Sequence, residues 1–267
     1  MTIGIIGGGN MAEAIIVGLL QDKSNSTKII VSEPNANRRD YLKQKFESVH
    51  VISENVEIFN ALPKAVILAV KPQVFNELLT EISGYTTNQI LISIAAGINS
   101  KTIKKICPNA KVVRVMPNTP FLALAGCGGI SFEPNFSPAE KKMVFDIFNN
   151  SGELIELPEE KMHAVTAISG SGPAYFFYFT EELIKAGILG GLSPEESKTL
   201  AVKTLFGAGK LLLESDDSAE SLRKKVTSPK GTTEAAINSF LTNNTGKIIE
   251  QAVNAAIKRS KELAGEA

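Results

Sequence analysis

The sequence predicts an α/β protein: a doubly wound parallel sheet over residues 1–158, followed by an all-α domain over residues 159–267. Three observations carry this. Short apolar runs alternate with helix-period segments through the first half. A glycine-rich turn joins the first apolar run to the first helical segment. From Glu159 onward, strand patterns stop.

Ile3 to Ile6 reads as the first strand and Met11 to Leu20 as the first helix. Between them, Gly7-Gly8-Gly9-Asn10-Met11-Ala12 fits the pattern G-x-G-x-x-A. Gly7 allows the sharp turn, Gly9 lets a pyrophosphate approach the backbone, and Ala12 lets the helix pack closely on the strand. With Asn10 and Met11 completing the turn, this predicts a Rossmann-type dinucleotide site for NADH or NADPH. Lys28 to Ser32 is the second strand, Asn37 to Phe46 a helix, and Val49 to Ile52 a weak third strand. Ala65 to Val70 is a continuous apolar run, as a parallel strand covered on both faces requires. Gln73 to Ile82 follows as a helix. Ile90 to Ala95 and Lys111 to Met116 are strands separated by a helix from Ser100 to Ile106. Residues 128–156 add edge strands around a helix from Pro138 to Phe148.

Ligands of such sheets lie at the carboxyl ends of the strands. There the sequence reads Ala69-Val70-Lys71-Pro72, Ala95-Ala96-Gly97 and Met116-Pro117-Asn118-Thr119-Pro120. These small, polar or proline-rich segments suit backbone lying close to a flat cofactor. Glu33 stands 21 residues past Ala12, where an acidic residue binds the ribose 2′-OH of NAD. Ser32, Asn35, Arg38 and Arg39 could instead surround a 2′-phosphate. The two readings conflict, and the sequence leaves NADH and NADPH both open.

In the second half, Ala164 to Ile168 is apolar. Ser169-Gly170-Ser171-Gly172-Pro173 then breaks the chain, and Ala174 to Ile188 continues as a helix. Ser171 is suited to a cap, Pro173 to a first helical turn, and Gly172 to a close approach of backbone and ligand. Leu200 to Leu213, Thr233 to Leu241 and Lys247 to Leu263 complete a helical set. Apolar positions run round these helices, as at Leu211, Leu212 and Leu213, which predicts burial against a second subunit and hence a homodimer. Between two of them, Ser228-Pro229-Lys230-Gly231-Thr232-Thr233 opens directly onto a helix. The free N–H groups of a helix start bind small anions. With the hydroxyls of Ser228, Thr232 and Thr233 beside them, this segment predicts a cradle for a carboxylate.

Lys+Arg and Asp+Glu both number 28, so the chain carries no net charge and no footprint for nucleic acid or an anionic membrane surface. No stretch approaches ~18 consecutive apolar residues, and the N-terminal run lacks a basic flank and is interrupted by glycines, unlike a signal peptide. Cys107 and Cys127, with His50 and His163, have no metal-ligand spacing, so no metal site is expected. Reduced thiols in a cytoplasmic protein with a small-molecule substrate are the expectation.

A nucleotide site without a P-loop, a Ser-His-Asp order or paired carboxylates points to hydride transfer. Ketone reduction needs a proton donor, and histidines are few; His163 has the helical, apolar neighbours of a packed residue. A protonated imine is already electrophilic, and a hydroxyl such as that of Thr233 suffices to orient its nitrogen. The chain resembles the pyrroline-5-carboxylate reductase family. The resemblance spans nearly the whole length, through Gly7 to Ala12, Ala69 to Pro72, Ser93 to Ile98, Arg114 to Pro120, Ala164 to Tyr175 and Val226 to Ala235, the last two being the most specific.

The resemblance implies reduction of Δ1-pyrroline-5-carboxylate to L-proline by NAD(P)H, the last step of proline biosynthesis. It also implies a Rossmann domain followed by a C-terminal dimerisation domain, with some members assembled further into decamers. Ser228, Gly231, Thr232 and Thr233 correspond to the family's substrate-carboxylate loop, and Thr233 to the threonine that hydrogen-bonds the ring nitrogen. Asn55, Ala69, Val70 and Lys71 correspond to cofactor contacts, and Asn118 and Pro120 lie where the nicotinamide rests. On this reading the turn Ser171-Gly172-Pro173 helps place the substrate, and Gly7 to Ala12, Ser32, Glu33 and Ala95 complete the cofactor site. Two residues depart from the family pattern: Lys230 replaces the usual second glycine of the loop, and Glu33 a commonly small or polar residue. Competing readings are a reductase of a related cyclic imine acid, a β-hydroxyacid dehydrogenase-like enzyme, and a nucleotide sensor.

Overall fold

The computed structural model describes residues 1–21, 27–87 and 89–266. Its first strands and helices follow the hydrophobic pattern: β1 (Thr2–Ile6), α1 (Asn10–Gln21), β2 (Lys28–Ser32), α2 (Ala36–Lys45), β3 (His50–Ile52), β4 (Ala65–Leu68), α3 (Phe75–Ile82), β5 (Ile90–Ser93), α4 (Ser100–Ile106) and β6 (Lys111–Met116). Then come β7 (Gly126–Phe132), α5 (Pro138–Phe148) and β8 (Gly152–Glu156). The strands form one sheet in the order β3-β2-β1-β4-β5-β6-β7-β8. Every neighbouring pair is parallel except β6–β7, where Val113 faces Phe132 and Met116 faces Gly129. The order reverses direction between β1 and β4, which is the switch point where such sheets bind ligands.

Successive side chains of a strand point to opposite faces, and the core divides accordingly. Ile3, Ile5, Ala65, Ile67, Ile90 and Ile92 join one buried cluster with α1 and α5 residues such as Ile15 and Phe148. Ile6, Val66, Leu68 and Leu91 join the other, with α3 and α4 residues such as Phe75 and Ile103. The strands are apolar without alternation because both faces are covered. Helix starts are fixed locally: the Asn35 side chain accepts the Arg38 N–H to cap α2, and Asn99 accepts the Thr102 N–H to cap α4.

At α5, Ser137 and Glu140 form a reciprocal capping box. Lys111 at the start of β6 reaches the same carboxylate at 2.5 Å. The Lys111 contact, followed by the Ser137 bonds, pulls the Glu140 carboxyl down from 4.5 to about 2. A carboxyl depressed by folding stabilises the fold above its unfolded value, and the contribution fades as pH falls through the folded value. Wild type should therefore be more stable than Glu140→Gln at neutral pH, and the gap should close between pH 4.5 and about 2. Thermal unfolding of both proteins across that range checks it; a gap independent of pH would rule out the ionised carboxylate as its source.

Two compact units result: Met1–Ser171 together with Ala256–Ala267, and Gly172–Ala255. In the first, α6 (Met162–Val165) runs on through a wide π-helical turn, Thr166–Gly170, closed by the Ser171 N–H to the Thr166 carbonyl at 2.8 Å. The expected chain break at residues 169–173 is therefore not a break: the backbone stays helical into α7 (Gly172–Leu189). Pro173 has no N–H for the Ser169 carbonyl, and the wider turn accommodates that missing bond.

The second unit contains α7, α8 (Pro194–Glu214), α9 (Ala219–Lys225), α10 (Thr232–Thr242) and the first part of α11 (Thr245–Leu263). The short α9 has no counterpart in the hydrophobic pattern, because it is capped by Ser218 and buries no residue. Gly187 lets α7 and α8 approach: a Cβ there would meet the Ser197 hydroxyl at 2.2 Å, and that hydroxyl donates to the Ile184 carbonyl. Ala201 is the one buried apolar side chain of this unit among the described residues. Phe177, Phe206 and Leu213 are 64%, 69% and 89% exposed, so the helices carry far more apolar surface than they bury. Among the described residues no helix is long and apolar enough to cross a membrane, and no group of His, Cys, Asp and Glu could hold a metal.

Candidate active site

The glycine turn sits at the carboxyl end of β1, against the end of β4. Gly7 has φ +95°, and a Cβ there would lie 2.7 Å from the Ala69 carbonyl oxygen, so only glycine fits the turn and the close strand contact together. A Cβ at Gly9 would meet nothing within 4 Å: the space in front of this backbone is open. Gly9 and Asn10 are exposed and Met11 half-buried at the start of the twelve-residue α1, while Ala12 is fully buried against the sheet. An open space facing the unpaired N–H groups of a helix start suits a pyrophosphate, so the residues present fit a dinucleotide.

The other sequence-predicted cofactor residues gather along the same edge. Ser32 is buried at the end of β2, and its hydroxyl donates to Asn55 Oδ1 at 2.8 Å. Asn55 in turn donates to Glu81 at 2.8 Å, a partner that sequence spacing gave no reason to expect. Glu33 follows β2, and its carboxylate accepts the Gly8 N–H at 2.8 Å. Ala69 and Val70 lie half-buried just past β4, with Lys71 exposed beyond them. Ala95 is buried past β5. Asn118, past β6, is 8% exposed; its Oδ1 accepts the Cys127 N–H at 3.0 Å and its amide donates to Ser169 at 3.4 Å. Ser169 also donates to the Cys127 carbonyl at 2.6 Å. Asn118 thus ties the β6 end to β7 and to the π-helical turn. Pro120 follows within a short 3-10 turn, half-buried.

His163 is packed and partnered on both ring nitrogens. It is 5% exposed, with Nδ1 at 2.9 Å from the Ser260 hydroxyl and Nε2 at 3.0 Å from Glu266. The Asn99 amide and then His163 hold the Glu266 carboxyl below its usual range. This cluster ties the chain's last described residues back to the first unit.

In the second unit, the hydroxyl-rich loop has the geometry of a tight turn. The Gly231 N–H donates to the Ser228 carbonyl at 3.0 Å, and a Cβ on Gly231 would meet the Ser228 hydroxyl at 2.3 Å. Gly231 is the N-cap of α10, and no side chain caps this helix. The first N–H groups of α10 therefore lack the side-chain acceptor that an ordinary cap supplies. Ser228 and Thr232 are exposed and Thr233 half-buried at this helix start. Ser171, just before α7, is half-buried, as is Pro173 in its first turn, and Gly172, its first residue, is buried. Nearby in sequence, the Tyr175 hydroxyl is enclosed without a hydrogen-bond partner among the described residues. Such a group costs on the order of 1–3 kcal/mol, and no local sequence pattern singles it out.

Lys230 occupies the left-handed region, φ +60°, and its N–H donates to Glu234 at 2.8 Å. A glycine adopts this angle without the ~1–2 kcal/mol cost of a Cβ. Part of that gain is offset by the greater freedom of glycine in the unfolded chain. Lys230→Gly should raise stability by about 0.5 kcal/mol, read as a small increase in Tm; a decrease would show that the lysine side chain contributes more than its backbone angle costs.

Comparison with known proteins bears on both units. Residues 2–97 match the family model described as NADP oxidoreductase coenzyme F420-dependent, and residues 159–263 match pyrroline-5-carboxylate reductase dimerisation. A pyrroline-5-carboxylate reductase of Synechocystis is 39% identical over 98% of this chain and 97% of its own. The chain belongs to the pyrroline-5-carboxylate reductase family. A pyrroline-5-carboxylate reductase of Haemophilus influenzae is 38% identical over 98% of this chain and 97% of its own. Among solved structures, the pyrroline-5-carboxylate reductase of Coxiella burnetii superposes with TM-score 0.90 at 34% identity, covering 98% of both chains. A pyrroline carboxylate reductase of Plasmodium falciparum, solved with NADP bound, gives 0.87 at 32%, covering 99% of this chain and 98% of its own. Membership in the pyrroline-5-carboxylate reductase family makes this protein an oxidoreductase of NADP-binding type, with an N-terminal Rossmann-like domain and a helical C-terminal region.

Proposed function

We infer that the protein reduces Δ1-pyrroline-5-carboxylate to L-proline with NADPH or NADH. The observation that carries this reading is the uncapped start of α10 behind Ser228 and Gly231, in a chain that also presents an open glycine turn fit for a dinucleotide. The N–H groups of Thr232 and Thr233 hold the substrate carboxylate, with the Ser228 hydroxyl beside them, while the Gly231 N–H keeps the turn closed on the Ser228 carbonyl. The Thr233 hydroxyl orients the ring nitrogen, and the turn Ser171-Gly172-Pro173 supports the ring. The dinucleotide, when bound, supplies the hydride for the imine carbon. Gly7, Gly9, Asn10, Met11 and Ala12 seat its pyrophosphate; Ser32, Glu33 and Asn55 surround its adenosine end; Ala69, Val70, Lys71, Ala95, Asn118 and Pro120 line the edge toward its nicotinamide. Since the groups assigned to the substrate are backbone N–H groups and hydroxyls, most of the rate enhancement comes from positioning.

The domain division is taken as residues 1–158 for the dinucleotide-binding part and 159–267 for the helical part. The exposed apolar faces of α7, α8 and α11 are buried in a homodimer, in keeping with the dimerisation model matched by residues 159–263. A cytoplasmic location completes the reading.

The test is the initial rate of NADH and NADPH oxidation with pyrroline-5-carboxylate, run beside a six-membered cyclic imine acid. Preferential turnover of the five-membered ring is expected. Activity confined to the larger ring would reassign the substrate, and silence on both would overturn the reductase reading.

A further inference from the structure

The glycine turn and the segment after β2 hold a charge arrangement that bears on which dinucleotide is preferred; the inference rests on the reductase reading above. Glu33 turns its carboxylate onto the glycine turn: Oε2 accepts the Gly8 N–H at 2.8 Å, and Oε1 accepts the Asn35 N–H at 2.9 Å. The groups that could have received a 2′-phosphate are committed elsewhere. Arg38 donates from Nε to the Gly8 carbonyl at 2.5 Å and from its terminal nitrogen to Glu13 at 2.6 Å, and its guanidinium lies 4.6 Å from the centre of the Tyr41 ring. Arg39 donates to the Glu33 and Pro34 carbonyls at 2.9 and 2.7 Å. The Asn35 side-chain oxygen caps α2, and the Ser32 hydroxyl is spent on Asn55.

Glu13 is the hidden member of this arrangement. It is 8% exposed on α1 and accepts from Arg38, from Lys45 at 2.5 Å and from Tyr41 at 3.1 Å. Burial alone would raise its pKa, but the bonds from Lys45, Arg38 and Tyr41 outweigh burial and keep it below its usual range. Arg38 is thus paired with a buried anion and drawn onto α1.

We propose that Glu33 makes this protein prefer NADH over NADPH, and that Glu13 reinforces the preference by holding Arg38 in an internal ion pair. A ribose 2′-OH can donate to a carboxylate at the end of the second strand. A 2′-phosphate carries roughly −1.5 to −2 charge and no such donor, so it meets the Glu33 carboxylate as a like charge, with Arg38 already held by Glu13. Glu33 also anchors the turn through the Gly8 N–H, which both dinucleotides need. Its charge and its anchoring are therefore separable by substitution: Glu33→Gln keeps an oxygen for that N–H and removes the charge, whereas Glu33→Ser removes both.

The experiment is direct binding of NADH and of NADPH to the whole protein by titration calorimetry at fixed ionic strength, without imine substrate. Wild type should bind NADH about 10-fold more tightly. Glu33→Gln should narrow or invert that ratio mainly by strengthening NADPH, and Glu13→Gln should strengthen NADPH several-fold with little change for NADH. Wild type binding NADPH as tightly as NADH would overturn the proposal. So would a Glu33→Gln variant that weakens both dinucleotides equally, since Glu33 would then be only a turn anchor. Because no substrate is present, a failed reductase reading leaves this ratio intact, whereas a failed proposal leaves turnover intact.

Discussion

Thr233→Val should lower kcat with pyrroline-5-carboxylate about 100-fold while leaving the Kd for the dinucleotide nearly unchanged. Valine keeps the shape of threonine and has a similar helix propensity, so the substitution removes the hydroxyl and little else. A cap role would be the competing explanation for a threonine at a helix start. The structure assigns the N-cap of α10 to Gly231, with no side chain serving it, and the Thr233 hydroxyl makes none of the capping bonds. Stability should therefore change little, which unfolding of the variant would verify. Parallel losses in turnover, dinucleotide affinity and stability would mean that the residue only maintains the loop.

Phe177→Asp combined with Phe206→Asp should convert a dimer into a monomer and abolish turnover. Phe177 on α7 and Phe206 on α8 are 64% and 69% exposed in the single chain, and Phe176, Tyr178 and Phe179 flank the first. Apolar side chains on every side of α7 cannot all be buried in a unit whose one buried apolar residue, among the described residues, is Ala201. Aromatic anchors at an interface each contribute on the order of 2 kcal/mol or more, and a buried aspartate adds a desolvation cost. Sedimentation of wild type and variant reads the assembly state. Dinucleotide affinity should survive, since the glycine turn belongs to the first unit with a core of its own. A variant that stays dimeric would place the interface on other faces.

What the sequence determined by itself was the material of local and periodic physics. Continuous apolar runs specified the parallel strands, because β4 and β5 are covered on both sides. The spacing of Gly7, Gly9 and Ala12 specified the turn, because φ +95° at Gly7 and the 2.7 Å gap to Ala69 exclude a side chain. The hydroxyl-rich loop was legible as a helix start for the same local reason.

Tertiary structure alone decided the rest. The π-helical turn at residues 166–170 depends on a backbone bond from Ser171 that composition does not announce, and the glycines and proline read as a break. His163 finds its partners Ser260 and Glu266 about a hundred residues away, which no local pattern encodes. The clash between an NADH and an NADPH reading of Glu33, Arg38 and Arg39 could not be settled from spacing, since all three lie in the right stretch. Only the fold shows that Glu13, on a different helix, competes for Arg38 and that Glu33 faces the glycine turn. Charge selectivity is a matter of which partner is nearer in space, and distance between elements is what a one-dimensional pattern leaves open.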